Sequence, residues 1–248
     1  MRIGDEIIRP GSIDSTNEYA LSLIKQKEAV NGMVVTATEQ TKGKGADNSN
    51  WESMPGKNLT LSILVKPEGL QPAHQFMLNK ITSLAVLDFV SGKIQTEAFS
   101  IKWPNDIYWK YKKAAGILIS NIIEGQQISW SVIGVGININ QAVFTSDAPN
   151  PVSLHQISGQ EYELETCLKQ FCECFEKWFV ALCNKNTHFI DSHYIASLFR
   201  YGVVAKYIIN GQVTEAKITG VGEYGHLKLQ PVNGKALMCD LKEVKFLL

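Results

Sequence analysis

Apolar positions along this chain follow two rhythms. Ala20, Leu23 and Ile24 recur at helical spacing behind Asp14-Ser15-Thr16-Asn17-Glu18, where Ser15 and Glu18 stand at capping-box spacing, so a first helix is predicted to open there. Phe76, Met77, Ile81, Leu84, Ala85 and Phe89 predict a second helix of about 18 residues that ends near Gly92. Leu164, Leu168, Phe171, Phe175, Trp178, Phe179 and Leu182 form the amphipathic stripe of a third. Between the helices the rhythm is that of strands: Met33 to Thr38, Leu59 to Val65, and a block from Phe99 to Asn140 that reads as one meander. Within that block a run ending at Trp103 enters a Pro104-Asn105-Asp106 turn, which is hairpin chemistry because proline fixes φ and Asn and Asp bond their own backbone. After Phe199, short strands alternate with glycine turns at 202, 211, 220, 222, 225 and 234, which predicts a small all-β barrel of about 50 residues.

Strand runs broken by helices in this order predict an α+β fold, a mainly antiparallel sheet covered by helices on one side. A parallel nucleotide-binding sheet needs a repeated strand-helix-strand rhythm that the 99–140 block lacks. Gly134-Val135-Gly136 has no third glycine at the spacing of a dinucleotide fingerprint. With 248 residues the chain can bury one large core with a small appendix, divided here at 1–198 and 199–248.

Charge narrows the partners. Lys plus Arg and Asp plus Glu number 24 each, so no general field draws the chain to nucleic acid or to an anionic membrane, and any anion site must be local. The N-terminus lacks a signal pattern and no apolar run approaches membrane-spanning length, which makes the cytoplasm the expected compartment. Five cysteines, at 167, 172, 174, 183 and 239, show neither a disulfide framework nor zinc-ligand spacing and read as reduced thiols.

The candidate chemistry lies in polar residues set among apolar ones. Lys102, Asn105, Asp106 and Lys113 flank the meander's first turns, and Lys113 stands just before Ala114-Ala115-Gly116, where small residues let another body come near. A solvated charged hairpin is the plain alternative. The stretch from Glu39 to Gly56, about 18 residues, is long enough for a functional loop. It contains Glu39-Gln40-Thr41-Lys42-Gly43-Lys44-Gly45, in which glycines permit close backbone approach and lysines supply charge for a phosphate or carboxylate; a merely flexible loop has the same composition. Trp51 suits an aromatic anchor packed in the core, and Ser15, Thr16 and Asn17 are explained by a helix start, itself a good place to hold polar ligand atoms. No histidine has a Ser or Cys partner pattern, which argues against nucleophilic hydrolysis.

In this order and spacing, Ser15-Thr16-Asn17, Glu39-Gln40-x-x-Gly43-Lys44-Gly45, Trp51, Pro55-Gly56-x-Asn58-Leu59, Lys102-Trp103-Pro104-Asn105-Asp106, Lys113-x-x-Gly116-Ile117-Leu118 and Gly134-x-Gly136-x-Asn138 resemble the biotin protein ligase family, in its short form without an N-terminal DNA-binding domain. The resemblance runs nearly the full chain, and the Lys-Trp-Pro-Asn-Asp run is its most diagnostic piece. It implies a catalytic domain over 1–198 with a class II aminoacyl-tRNA-synthetase-like fold, followed by an SH3-like barrel over 199–248. It also implies a two-step reaction: biotin and ATP, with Mg²⁺, give biotinyl-5′-AMP and pyrophosphate, and a lysine of a biotin carboxyl carrier protein then takes the biotin.

By the same resemblance Lys113 is catalytic, and Ser15, Thr16, Asn17, Gln40, Gly43, Lys44, Gly45, Lys113 and Gly116 meet biotin, Gly116 by leaving space against its strand. Lys44, Trp51, Asn105, Asp106, Lys113 and Asn138 meet ATP or the adenylate, and no residue is assigned to the metal. The family loop usually reads Gly-Arg-Gly-Arg-x-Gly-Arg-x-Trp, whereas here it is Gly43-Lys44-Gly45-Ala46-Asp47-Asn48-Ser49-Asn50-Trp51. A lysine is a point charge rather than a bidentate fork, so a looser grip on the adenylate phosphate is expected. Some family members carry a helix-turn-helix; with Ser15 so early and no net basic charge, no DNA binding is expected here. A homodimer is compatible with the sequence. Two other readings stay open: a lipoate- or octanoate-handling relative on the same scaffold, and a non-catalytic biotin or nucleotide sensor.

Overall fold

Residues 2–45, 50–146 and 150–248 are described by the computed structural model of the chain. Its strands are β1 (Ile7–Ile8), β2 (Ser12–Ile13), β3 (Val34–Thr36), β4 (Glu39–Gln40), β5 (Leu59–Val65), β6 (Phe99–Lys102), β7 (Asp106–Trp109), β8 (Lys112–Glu124), β9 (Gln127–Ile137), β10 (Val204–Ile209), β11 (Gln212–Val221), β12 (Leu227–Pro231), β13 (Leu237–Cys239) and β14 (Val244–Phe246). The helices are α1 (Thr16–Gln26), α2 (Phe76–Lys93), α3 (Leu154–Ser158), α4 (Leu164–Cys183) and α5 (Thr187–Ala196). Seven strands form the main sheet in the order β1-β3-β5-β9-β8-β7-β6, antiparallel throughout except for the parallel β1–β3 pair at one edge. The predicted meander is therefore β6 to β9, and β2 and β4 make a separate two-stranded parallel ladder.

Central β5 is buried at every position because both faces of the sheet are covered. Successive strand residues point to opposite faces, and here they enter different cores. Val34, Ile63 and Ile133 pack in the large core with α2 and α4, whereas Val35, Leu64 and Val132 pack with Ala20 and Leu23 of α1. The expected coverage by helices on one side is thus corrected: α1 lies on the face opposite α2 and α4. The sequence misled because α1 is short and covers only part of its face; the remainder of that face is the floor of the site.

Helix α2 is buried around much of its circumference, held between the sheet and α4, whose Phe171, Phe175, Trp178 and Phe179 supply the facing stripe. Its one deeply buried charge, Lys80, is paired with Asp191 of α5 at 2.6 Å. The C-terminal strands form a five-stranded antiparallel sheet in the order β13-β12-β11-β10-β14. Among the described residues β13 and β14 do not pair, so the small all-β barrel predicted here is a five-stranded antiparallel sheet that does not close. The chain passes between these edges through a 3-10 turn at Leu241–Glu243. There the Asp240 carboxylate and the Glu243 side chain bind the backbone N–H groups of Leu241 and Asp240, and two three-residue strands are too short to close the ladder.

Four of the cysteines lie on α4 and none is in a disulfide. Burial pushes the Cys172 thiol up to about 12 and that of Cys174 up to about 11. A thiol whose folded value is raised contributes stability that is complete below its unfolded value and lost as pH rises toward the folded one. Urea unfolding at pH 8 and at pH 10.5 is accordingly expected to give a lower midpoint at the higher pH, by an amount that shrinks when Cys172 and Cys174 are replaced by alanine and valine. Equal midpoints would remove this account of the α4 thiols.

Candidate active site

Two rows of residues crossing β5, β9 and β8 form the floor on the α1 face: Ser62, Gly134 and Leu118 in one, Thr60, Gly136 and Gly116 in the next. The glycines are there because something lies on each row. A Cβ at Gly134 would stand 2.3 Å from Asn17 Oδ1, and one at Gly136 would stand 2.3 Å from the Trp51 indole. Asn17 spans the first row, its amide donating to the Leu118 carbonyl at 3.0 Å and its oxygen accepting from the Ser62 hydroxyl.

The N-terminus of α1 closes this end. The predicted capping box does not form: Ser15 is the N-cap but makes no side-chain cap bond, and Glu18 pairs instead with Lys44 of the loop. The cap is supplied from β4, where Gln40 Oε1 accepts the Thr16 backbone N–H at 2.8 Å and the Thr16 hydroxyl at 3.1 Å. Ser62 Oγ lies 2.8 Å from that hydroxyl. Ser15, Thr16, Asn17 and Ser62 are all buried, which concentrates hydroxyl and amide groups in an otherwise apolar setting. Ser62 is the residue that motif reading passed over; its signal was a small hydroxyl residue two positions after Thr60 in a strand otherwise of large apolar residues.

The cationic end depends on a β-bulge. Ile107 pairs with Ala115 but Tyr108 pairs with Lys113, so Ala114 is an extra residue on β8. Ala114 and Ala115 both enter the large core, and this shift in alternation turns Lys113 onto the face of Gly116. There its ammonium sits 2.7 Å from Asp106 Oδ1, and it is 5.8 Å from the centre of the Trp51 ring. The bulge is held by backbone bonds, Lys113 N–H to the Asn150 carbonyl at 2.8 Å and Val152 N–H to the Lys113 carbonyl at 2.9 Å. Asn138 lies beneath it, donating to the carbonyls of Val152 at 3.2 Å and Lys113 at 3.4 Å, with its Oδ1 buried and unpartnered among the described residues. Neighbouring Lys102 lies between the Tyr108 and Phe246 rings, and burial, together with the positive charge of Lys113, lowers its ammonium below the usual lysine range against the opposing pull of Asp106.

Trp51 covers the second row. Its backbone N–H donates to the Gly43 carbonyl at 2.9 Å, and a Cβ at Gly43 would come within 2.7 Å of the Trp51 carbonyl, so this glycine is required by the returning loop. The indole fills the space over Gly116 that was expected to stand open, its Nε1 buried without a partner among the described residues, and it is half-buried between floor and solvent rather than packed in the core. Just beyond it the Glu52 carboxylate accepts the backbone N–H groups of Thr145 and Ser146 at 2.9 and 2.8 Å and the Gln141 amide at 3.0 Å. Gln141 Oε1 in turn accepts from the Met54 N–H at 2.9 Å and the Asn58 amide at 2.6 Å, pinning the far end of the loop. Lys44 and Gly45 belong to the near end. The expected departures at Ala46, Asp47, Asn48 and Ser49 lie outside the described residues. Asn105 points its amide to Asn79 Oδ1 at 2.9 Å and the Ile117 carbonyl at 3.2 Å, supporting the turn.

A sequence profile described as the biotin/lipoate A/B protein ligase family matches residues 10–138, which include the floor, both ends and the loop. This chain belongs to that family. Its relatives include the bifunctional ligase/repressor BirA of Bacillus spizizenii, 33% identical over 71% of this chain and 54% of that protein. Another is the biotin--[acetyl-CoA-carboxylase] ligase of Paracoccus denitrificans, 30% identical over 66% of this chain and 69% of that one. The chain spans about half the length of the Bacillus relatives it matches. Its fold is that of the biotin protein ligase of Aquifex aeolicus solved with biotin and ATP, with a TM-score of 0.76 at 22% identity, covering 98% of this chain and 96% of that structure. Membership makes the arrangement of the floor intelligible as a ligase fold: polar groups gather at the α1 end and cationic groups at the bulge.

Proposed function

We propose that the chain is an ATP-dependent biotin protein ligase that forms biotinyl-5′-AMP and passes biotin to a lysine of a biotin carboxyl carrier protein. One observation carries this reading: a single glycine floor has buried hydroxyls and amides at one end and the bulge lysine at the other. A ligand with a polar cyclic head, an apolar chain and a carboxylate matches that sequence of environments. Ser15, Thr16, Asn17, Gln40 and Ser62 would take the ureido head. Lys113 would hold the carboxylate against the α-phosphate, offsetting the repulsion between two anions and the charge that develops as the mixed anhydride forms. Lys44, with Gly43 and Gly45, would contribute from the loop, and Trp51 from above; Asp106 would lie on the side of the nucleotide, with Asn105 and Asn138 bracing the turn and the bulge beside it.

Mg²⁺ fits this donor set. Among the described residues no cluster of three or more His, Cys, Asp or Glu side chains could cage a metal, but Mg²⁺ is commonly bound by one or two carboxylates and substrate phosphates, and Asp106 is the carboxylate beside Lys113. The ion would supply charge neutralisation of the substrate phosphates, with Asp106 as the carboxylate that would hold it. Reduced thiols and a neutral net charge suit a cytoplasmic enzyme without a nucleic-acid role, and among the described residues no helix is long and apolar enough to cross a membrane.

The test is pyrophosphate release. Biotin with ATP is expected to release it and to label a carrier domain, whereas lipoate or octanoate with ATP is expected to give less than about a hundredth of the rate, because an unmet buried hydroxyl and amide cluster costs several kcal/mol. Faster turnover with lipoate would reassign the substrate, and binding of biotin with no pyrophosphate from any acid would make the protein a sensor.

A further inference from the structure

The turn that presents Asn105 and Asp106 is gripped by parts of the chain distant in sequence. Trp103 is 5% exposed, and its indole N–H donates to the Gly225 carbonyl at 2.9 Å, a buried bond between residues 122 apart. Tyr194 of α5 donates its hydroxyl to the Pro104 carbonyl, and Asn79 of α2 receives the Asn105 amide. Gly225 itself stands in the turn between β11 and β12, at φ +98°, with the Phe76 ring so close that a Cβ would lie 2.5 Å away. Both the positive φ and the contact require glycine, so the carbonyl is presented by a conformation no other residue adopts without strain.

We propose that this turn of the C-terminal sheet is a positioning element for the reaction, with Gly225 and Trp103 as positioning residues that act through Asp106 and Lys113. The inference rests on the ligase reading for its kinetic consequence. Trp103 lies between Lys102, the last residue of β6, and the turn that leads into Asp106, the first of β7. Fixing the indole fixes where that hairpin end sits, and with it the 2.7 Å pairing that holds the bulge lysine over the floor. Of the side-chain bonds to residues 103–105, the one to Gly225 is the contribution of the C-terminal sheet, which thereby reaches the site without lining it. Losing it leaves a buried carbonyl and a buried indole N–H without partners and frees the turn to shift by a fraction of an ångström, a scale to which reacting groups are sensitive. The biotin end is insulated, because its hydrogen bonds run among α1, β4, β5 and β8 and to none of Trp103, Gly225 or Phe76.

Trp103→Phe removes the N–H and keeps a ring. Expected is a fall in kcat for pyrophosphate release of at least about tenfold, with the biotin Kd by calorimetry within about twofold of wild type. In the unliganded protein, amide exchange over residues 99–109 should quicken while that of α1 does not. Gly225→Ala should lower kcat likewise by driving into Phe76, with biotin Kd again within about twofold, and Phe76→Leu in the same chain should restore the part of kcat lost to that contact, the φ strain of alanine remaining. The inference is overturned if Trp103→Phe keeps kcat within about twofold, if biotin affinity falls in step with kcat, or if Phe76→Leu rescues nothing. Should Trp103→Phe fail to fold, the Gly225→Ala and Phe76→Leu pair decides. A wild-type protein silent toward biotin and ATP refutes the ligase reading, and the exchange measurement then still decides whether the turn is held from the C-terminal sheet.

Discussion

Replacing Lys113 with alanine lowers the rate of biotin-dependent pyrophosphate release by about a thousandfold. The size follows from the place of the ammonium. Lys113 is about a quarter exposed, paired with Asp106, and held against the Trp51 ring and the glycine floor, so water screens it only in part. It is also the cation that the bulge aims onto that floor, and no neighbour can take its place: Lys102 is fixed between two rings, and Lys44 is paired with Glu18 on the loop. Stability should change little, because what is lost is one partly exposed ion pair, a cost of about 1 kcal/mol. Stopped assays on purified variant with biotin and ATP check the prediction, and residual turnover within about tenfold of wild type would remove Lys113 from the chemistry.

Gly134→Ala is expected to weaken biotin binding by about a hundredfold and to cost about 2 kcal/mol of stability. The new Cβ would stand 2.3 Å from Asn17 Oδ1 and 2.8 Å from its Cγ, so the whole amide must leave. With it goes the bridge from α1 to Ser62 and the Leu118 carbonyl, and the buried Ser62 hydroxyl at the head-group end keeps only the Thr16 hydroxyl of its two partners. Adding one methyl group therefore dismantles the recognition end while Lys113 stays where it is. Calorimetry with biotin and urea unfolding test the two halves separately; affinity within about threefold of wild type would show that Asn17 does not shape the head-group end.

The same two residues show how far a sequence can be read. Lys113 could be picked out because a lysine before Ala-Ala-Gly sits where small residues clear a space, but its direction could not, since strict alternation along β8 points it at the helices. The extra residue at Ala114 reverses that, and a bulge leaves no mark in composition. Gly134 was legible as part of a motif, yet what it accommodates, an amide from α1, is a contact across more than a hundred residues. Ser15 and Glu18 have the spacing of a capping box, and the local rule fails because Gln40 takes over the cap and Glu18 is drawn to Lys44.

Element type and order were determined by the sequence alone: the helical stripes of α1, α2 and α4, the β6 to β9 meander, and the strand-and-glycine grammar of the C-terminal sheet all follow from side-chain periodicity and turn residues, which act over a few neighbours. The tertiary structure alone decided on which face α1 lies, where the bulge turns Lys113, that Trp51 rests on Gly116 and Gly136, and that Gly225 holds Trp103. Except for the bulge, which lies within one hairpin and is braced by Asn150 and Val152, each is a contact between segments far apart in the chain, selected by which buried groups find partners once the sheet is packed, and that competition has no local signature.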